Sequence, residues 1–328
     1  MSIFQPTAQF NLLEIQAAAE AILQAQPDPI PAYRLLREVL RLSPSDTRLR
    51  KAQAAADQSK WVKQLESAQH ADGSWGRFHS QDTKERTLFR TTEEAIDRAF
   101  ALGFEPHHAI LTRVRLYIEK VLNGEASITD RYEKHKAWPM AIKLILAGRL
   151  SQLAPSSRLL EPYWSYLADV SAQAFNSGNY RLEDEVSAHL RLSGILWPEG
   201  FLESQHSLWI LSSHPLPGQL EHVLMKWIAW KPDGIRYIRT PLAEPQPQRI
   251  GYWLRSINIL SRFTSWREIF VDPLNKLWSQ RDHQGLWDLD SRIARCVEFP
   301  LSESWRNNLK RKVDYSTHIL VILRKFFD

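Results

Sequence analysis

Proton transfer needs a carboxylate and an imidazole held close together, and one stretch of the sequence supplies both. Thr129-Asp130-Arg131-Tyr132-Glu133-Lys134-His135 groups Asp130, Glu133 and His135 at what reads as the start of a helix. A carboxylate beside an imidazole there can act as acid or base if the helix end faces a cavity. The plainer reading is a charged cap, with Asp130 satisfying backbone donors. Asp288-Leu289-Asp290, after Trp287, offers a second carboxylate pair with the same two readings: proton donor or turn cap. His79 and Glu93 form a weaker acid–base pair, and His107-His108 reads as solvent-facing. A different chemistry attaches to Arg236-Tyr237-Ile238-Arg239 and to Arg249 through Arg255. Arginine forks match phosphate oxygens, so Arg236, Tyr237, Arg239, Tyr252 and Trp253 are candidates for holding a diphosphate and its apolar tail.

These groups sit in a chain of 328 residues with 44% apolar and 24% charged residues, a composition able to bury a large core. The net charge of +5 is spread out apart from Lys310-Arg311-Lys312, which reads as a solvated surface and not as a nucleic-acid footprint. One cysteine, Cys296, excludes an internal disulfide and any multi-thiolate metal site. No signal peptide or membrane-length apolar run is visible, so a cytoplasmic location is expected. Thirteen tryptophans suit helix packing or an aromatic pocket.

The elements that must position these residues are helices throughout. Apolar residues recur at helical spacing from Leu12 to Leu23, stopping at the Pro27/Pro29/Pro31 run, and from Tyr33 to Leu40. A long helix is expected from Ser45 or Asp46 to about Gln69. Others are expected from Thr91 to Gly103, from Glu105 to Gly124, and from Glu133, or just before Pro139, to Leu153. Further helices are read over Ser157 to Gly178, Leu182 to Leu196, Leu220 to Trp230, Ile250 to Phe263, Ser265 to Gln280 and Val313 to Phe327. Thr91 with Glu94, and Ser265 with Glu268, read as capping boxes. Only Ile235 to Ile238 suggests an extended segment, and Pro241 to Pro247 reads as a surface loop. Short connections make neighbouring helices antiparallel.

Between two of these helices lies Gln69-His70-Ala71-Asp72-Gly73-Ser74-Trp75-Gly76, a helix-to-helix corner. Gln69 can bond helix-end carbonyls, Gly73 supplies a positive φ and Trp75 folds back on the preceding helix. An imperfect copy, Arg281-Asp282-His283-Gln284-Gly285-Leu286-Trp287, keeps the Gly and the Trp. The structural set is therefore Gln69, Asp72, Gly73, Trp75, Gly285 and Trp287.

This pattern resembles the QW repeat of the terpenoid cyclase and protein prenyltransferase superfamily. The continuation through Arg77-Phe78-His79-Ser80, Arg90-Thr91-Thr92-Glu93 and Leu102-Gly103 is similar to bacterial single-toroid members of it, a likeness that brings no activity with it. The resemblance implies an all-α fold, an α/α toroid over residues 45–328 preceded by a helical hairpin over 1–44. It also implies an isoprenoid or other apolar ligand in a central cavity. The alternative is a non-catalytic toroid serving as a protein-interaction module, with a filled core and an apolar patch exposed around Leu208-Trp209-Ile210-Leu211.

The superfamily's chemical signatures are missing. No Asp-x-Asp-Asp proton donor occurs. Ala294 stands where a zinc site of the Asp-x-Cys type wants its carboxylate, leaving only an irregular set of Cys296, His318 and Asp290 or Asp314. A single cysteine rules out the lanthionine cyclase zinc site, and a Cys–Gln thioester is absent. No metal is assigned and no cofactor is expected; magnesium and zinc stay open. The expected partners are an isoprenoid or other apolar small molecule, a protein, or a membrane surface contacted peripherally, with no transmembrane segment and no nucleic acid.

Overall fold

The computed structural model describes residues 7–80, 88–128, 130, 136–289 and 300–328. Fourteen α-helices carry this part of the chain, and local chemistry sets where they start. α1 (Leu12–Gln24) opens on a capping box in which Asn11 accepts from Glu14 N and Glu14 accepts from Asn11 N. α2 (Pro29–Arg34) begins on a proline and runs into a π-helical turn, Leu35–Val39. The proline run thus starts a helix as well as ending one, because the first turn has no use for the missing N–H. The long helix expected to reach Gln69 divides into α3 (Thr47–Asp57) and α4 (Lys60–Ala68), since the Ser59 hydroxyl caps Val62 N. α5 (Thr92–Ala101) has its Thr91 cap, although Glu94 turns to Arg90 N instead of Thr91 N.

α6 (Ala109–Leu122) starts at His108, whose Nδ1 accepts from Ile110 N, and not at Pro106. α7 (Trp138–Leu153) takes Pro139 into its first turn. Then follow α8 (Glu161–Ala174), α9 (Leu182–Ser193), α10 (Gln205–Leu211), α11 (Leu220–Trp230), α12 (Ile250–Leu260), α13 (Trp266–Ser279) and α14 (Asn308–Lys325). Three expectations need correction. The Leu208–Leu211 segment is no surface patch but part of α10, buried at every position. The Ser265 box does not form, because the Ser265 hydroxyl donates to Glu221 across to α11. Ile235–Ile238 forms no strand; the neighbouring backbone makes a single bridge between Ser204 and Arg236.

The glycine turn of the corner at Gln69 recurs: besides Gly103, Gly124 and Gly178, which make the same bond where α5, α6 and α8 end, four junctions use it. In each, a glycine at positive φ donates its N–H to the carbonyl three residues earlier: Gly73 to His70, Gly200 to Trp197, Gly234 to Lys231 and Gly285 to Asp282. These turns join α4 to α5, α9 to α10, α11 to α12 and α13 to α14. In the first and last, the Trp indole reaches back ten residues, from Trp75 Nε1 to Leu65 O at 2.9 Å and from Trp287 Nε1 to Leu277 O at 2.7 Å. Both Trp backbones also donate to a hydroxyl on the next helix, Thr92 and Ser316. Gln69 Nε2 bridges Gly73 O and Ile110 O, tying the corner to the start of α6. Gly73 has no room for a side chain, since a Cβ would lie 2.4 Å from Arg113 O.

One cavity of about 290 Å³ lies among the helices. The second helix of each corner pair borders it (α5, α10, α12 and α14), as do α7 and the Arg34–Glu38 segment. The first helices, α4, α9, α11 and α13, contribute nothing to its wall. The N-terminal segment packs against the C-terminal helices. Phe10 packs among Trp278, Phe326 and Phe327, Gln9 N donates to Asn275, and Lys310 pairs with Asp28. Trp61 on α4 donates to Leu301 O. No helix among the described residues is long and apolar enough to cross a membrane.

Candidate functional site

Helical spacing builds the cavity wall. On α12 and just beyond it, Gly251, Leu254, Arg255, Asn258, Ile259 and Arg262 step by three and four and all face inward. His318, Val321, Ile322 and Lys325 repeat the rhythm on α14, and Asp97, Phe100, Ala101 and Phe104 do so on and after α5. Arg34 comes from the end of α2, Arg37 and Glu38 from the π-helical turn, Gln152 from α7 and Trp209 from α10. Five cationic side chains therefore face two carboxylates across a small space.

Only some of those charges neutralise each other. Arg34 grips Glu38 with both nitrogens, at 2.8 and 3.1 Å, and its third nitrogen lies 3.1 Å from His318 Nδ1. Burial acts to raise Glu38, but the Arg34 guanidinium overrides it and holds the carboxyl at about 2. Because Arg34 can only donate, His318 Nδ1 is the acceptor, and the imidazole carries its proton on Nε2. Asp97 accepts from Arg255 at 2.9 Å and from both terminal nitrogens of Arg149. Arg262 has a different environment. It donates to Ser212 Oγ and Ser151 O, both at 2.9 Å, and among the described residues no carboxylate pairs with it. Burial alone pushes it down to about 10. Lys325 donates to the Asn258 amide at 2.6 Å and is pushed down to about 8, by burial first, with Arg34 and Arg262 adding to the effect and Glu38 opposing it. These are cations without a matched anion.

Behind the α5 wall lies a second buried polar group. Glu93 accepts from Arg149 Nε at 2.8 Å, and His206 Nε2 and His79 Nδ1 lie 2.7 and 2.5 Å from its oxygens. Burial would raise the Glu93 carboxyl, but Arg149 and then His206 hold it well below the usual range. Burial pushes His206 down from the ordinary imidazole range, with Glu93 opposing the shift. Arg149 also lies over the Trp209 ring, 4.4 Å from its centroid. Every charge in this cluster has a partner, so it reads as the brace that fixes α5 against α7 and α10.

Of the residues singled out from the sequence, His79 and Glu93 meet in this cluster and Arg255 and His318 border the cavity; the others lie elsewhere. Asp130 accepts from Phe78 N, His79 N, Ser80 N and Ser80 Oγ at 2.6 to 2.9 Å, which makes it a clamp on the segment descending from the first corner. Glu185 and Asp314 clamp the segments after two other corners, on Phe201 and Leu202 N and on Leu301 and Ser302 N. Asp288 is exposed and pairs with Lys312 at 3.3 Å. Glu133, His135, Asp290 and Cys296 lie outside the described residues. Arg236 is tied to Glu203 at 2.9 Å and to Glu199, and Trp253 is fully buried with its indole on Leu242 O. Tyr237, Arg239 and Tyr252 stay on the surface side, with Arg249 over the Tyr252 ring. None of these five borders the cavity. Among the described residues no three His, Cys, Asp or Glu side chains gather as a metal-binding group.

The wall residues Arg34, Asp97, Arg262 and Lys325 escaped sequence reasoning, and a signal for them existed. The spacing of Arg255, Asn258 and Arg262 puts them on one helix face, but arginine on an amphipathic helix is ordinarily assigned to solvent. In this protein that face looks inward onto a cavity. No protein-family model, curated protein or solved structure matches the chain.

Proposed function

We propose that the chain forms a single α/α toroid and binds an amphipathic anion in the cavity at its centre. The alternation of cavity-lining and outer helices, the four like corners and the contacts of α1 and α4 with the C-terminal segments support the toroid. The observation that carries the ligand is the surplus of cations on the wall, above all Arg262, which is partly buried and among the described residues pairs with no carboxylate. A buried guanidinium without a counter-charge is costly, and an oxyanion in the cavity offsets that cost. Phe100, Phe104, Trp209, Leu254, Ile259 and Ile322 form an apolar wall suited to a short hydrocarbon portion. Phosphate esters and carboxylates with small apolar tails, including short isoprenoid diphosphates, fit this description.

Isothermal titration with inorganic diphosphate, geranyl diphosphate and geraniol tests the reading. Both diphosphates should bind, the prenylated one more tightly, and Arg262→Met should weaken both. Binding of geraniol alone would favour a purely apolar ligand, and absence of any binding would refute the proposal. A protein-interaction role has one observation behind it. Trp230 and Tyr237, beside the third corner, are 71% and 73% exposed. On that reading Trp230→Ser disrupts a complex while leaving diphosphate binding unchanged.

A further inference from the structure

Among the cations of the cavity wall, Lys325 is the one that can act as a nucleophile. It ends the inward stripe of α14, and its accessible surface borders the cavity. The charged groups around it are Glu38 from the π-helical turn, Arg34 from the end of α2, Arg262 after α12, and Asp328 beyond α14. Both carboxylates are already engaged, Glu38 by Arg34 and Arg37, and Asp328 by Arg41 and Arg324. Among the described residues the Asn258 amide oxygen is the sole hydrogen-bond acceptor for the Lys325 ammonium. An amide oxygen can accept from a neutral amine as well as from an ammonium and adds no negative charge, whereas a carboxylate would lock the proton on.

We propose that the Lys325 amine forms an imine with a small carbonyl compound that carries an oxyanion, the oxyanion resting on Arg262 and Arg255. This rests on the anion-binding reading of the cavity. In the step, the amine lone pair attacks the carbonyl carbon and a C–N bond forms. The carbonyl oxygen then leaves as water with the two amine hydrogens, so no oxidant or reductant is needed. Desolvation beside other cations is a recognised way to activate a lysine for such condensation. With the ammonium pushed down to about 8, roughly a tenth of Lys325 is neutral at pH 7 and half at pH 8. The arginines stay charged at these values, which separates the two tasks: Arg262 and Arg255 hold the anion and Lys325 bonds the carbon. A phosphorylated aldehyde and a 2-oxo acid share this chemistry.

Trapping tests it. The full chain is incubated at pH 8 with pyridoxal 5′-phosphate or with pyruvate, reduced with borohydride and mapped by peptide mass spectrometry. Lys325 should carry the dominant adduct with at least one probe, and which one reacts tells phosphate from carboxylate. Inorganic phosphate should suppress labelling, and Arg262→Met should slow it by about tenfold, the effect of one lost charge-assisted hydrogen bond. Lys325→Met should remove this adduct and leave the others unchanged. Lys325→Arg covers the case in which Met does not fold, since it should retain phosphate binding and lose the adduct. Labelling of Lys325 no faster than that of the exposed Lys276 would overturn the proposal. If phosphate binds by calorimetry while Lys325 stays unmodified, the covalent step fails and the anion site stands; if phosphate does not bind, both fall.

Discussion

Two arginines, one fully buried and one half-buried on the cavity wall, make opposite predictions. Arg149 is 1% exposed and joins Glu93 to Asp97 beneath the cavity. Replacing it with methionine leaves two buried carboxylates short of a counter-charge, a change that typically costs about 3–5 kcal/mol. Arg262 has no carboxylate to strand. Its fall from 12.5 to about 10 corresponds to a burial penalty of about 3 kcal/mol, at about 1.4 kcal/mol per pKa unit, which methionine removes. Against this stand two hydrogen bonds to uncharged acceptors, about 1.5 kcal/mol each. Arg262→Met should therefore leave stability within about 1 kcal/mol of the parent, while Arg149→Met loses several. Urea unfolding followed by circular dichroism measures both, provided the slopes agree. Adding phosphate should stabilise the parent by about 1.4 kcal/mol per tenfold excess over Kd, and Arg262→Met by less. If Arg262→Met costs as much as Arg149→Met, the guanidinium is fully compensated in the fold and the argument for an anion site collapses.

Asp314 is pushed up from 3.8 to about 6, chiefly by burial. A raised carboxyl stabilises the fold fully below pH 3.8 and loses that contribution as pH rises through 6, about 3 kcal/mol in all. Asp314→Asn should flatten unfolding free energy across this window, and an unchanged slope would show that another group titrates there. Sulfate, which does not titrate near neutrality, should bind the cavity less tightly as pH passes about 8 and Lys325 loses its proton. Calorimetry on Lys325→Met should show that dependence gone. At the corners, Gly285→Ala meets open space at φ 76° and should cost about 1 kcal/mol. Gly73→Ala adds a backbone clash and should cost roughly 3 kcal/mol or more, read from the difference in urea midpoints.

Helix existence was legible because burial on one face writes a 3.6-residue rhythm into the chain; α10 was not expected, α3 and α4 were expected as one helix, and α2 starts inside the proline run read as a break. α10 is short and buried on every side, so its apolar run shows no rhythm and reads instead as a patch. Two of the four corners were visible through tryptophan. The other two use the same glycine turn but carry Phe201-Leu202 and Ile235-Arg236 where the indole would be, so residue identity concealed a shared backbone. Candidate chemistry was sought where polar residues cluster in sequence, and clusters such as Asp130 turned out to clamp backbone. The cavity wall assembles stripes and single residues from six helical segments, and no local window contains it.

The seam between the two ends has a consequence for how the protein comes to work. Gln9 meets Asn275 across 266 residues, and Arg41 meets Asp328 across 287. His318 and Lys325 reach the cavity only when α14 docks against the end of α2 and the π-helical turn, which carry Arg34 and Glu38. Contacts so distant in sequence form late, after the entropy of closing a very long loop has been overcome. During synthesis the early helices can pair off in order, yet the pocket has no wall on that side until α14 emerges. On the proposed reading, a nascent chain lacking α14 is blind to the anion.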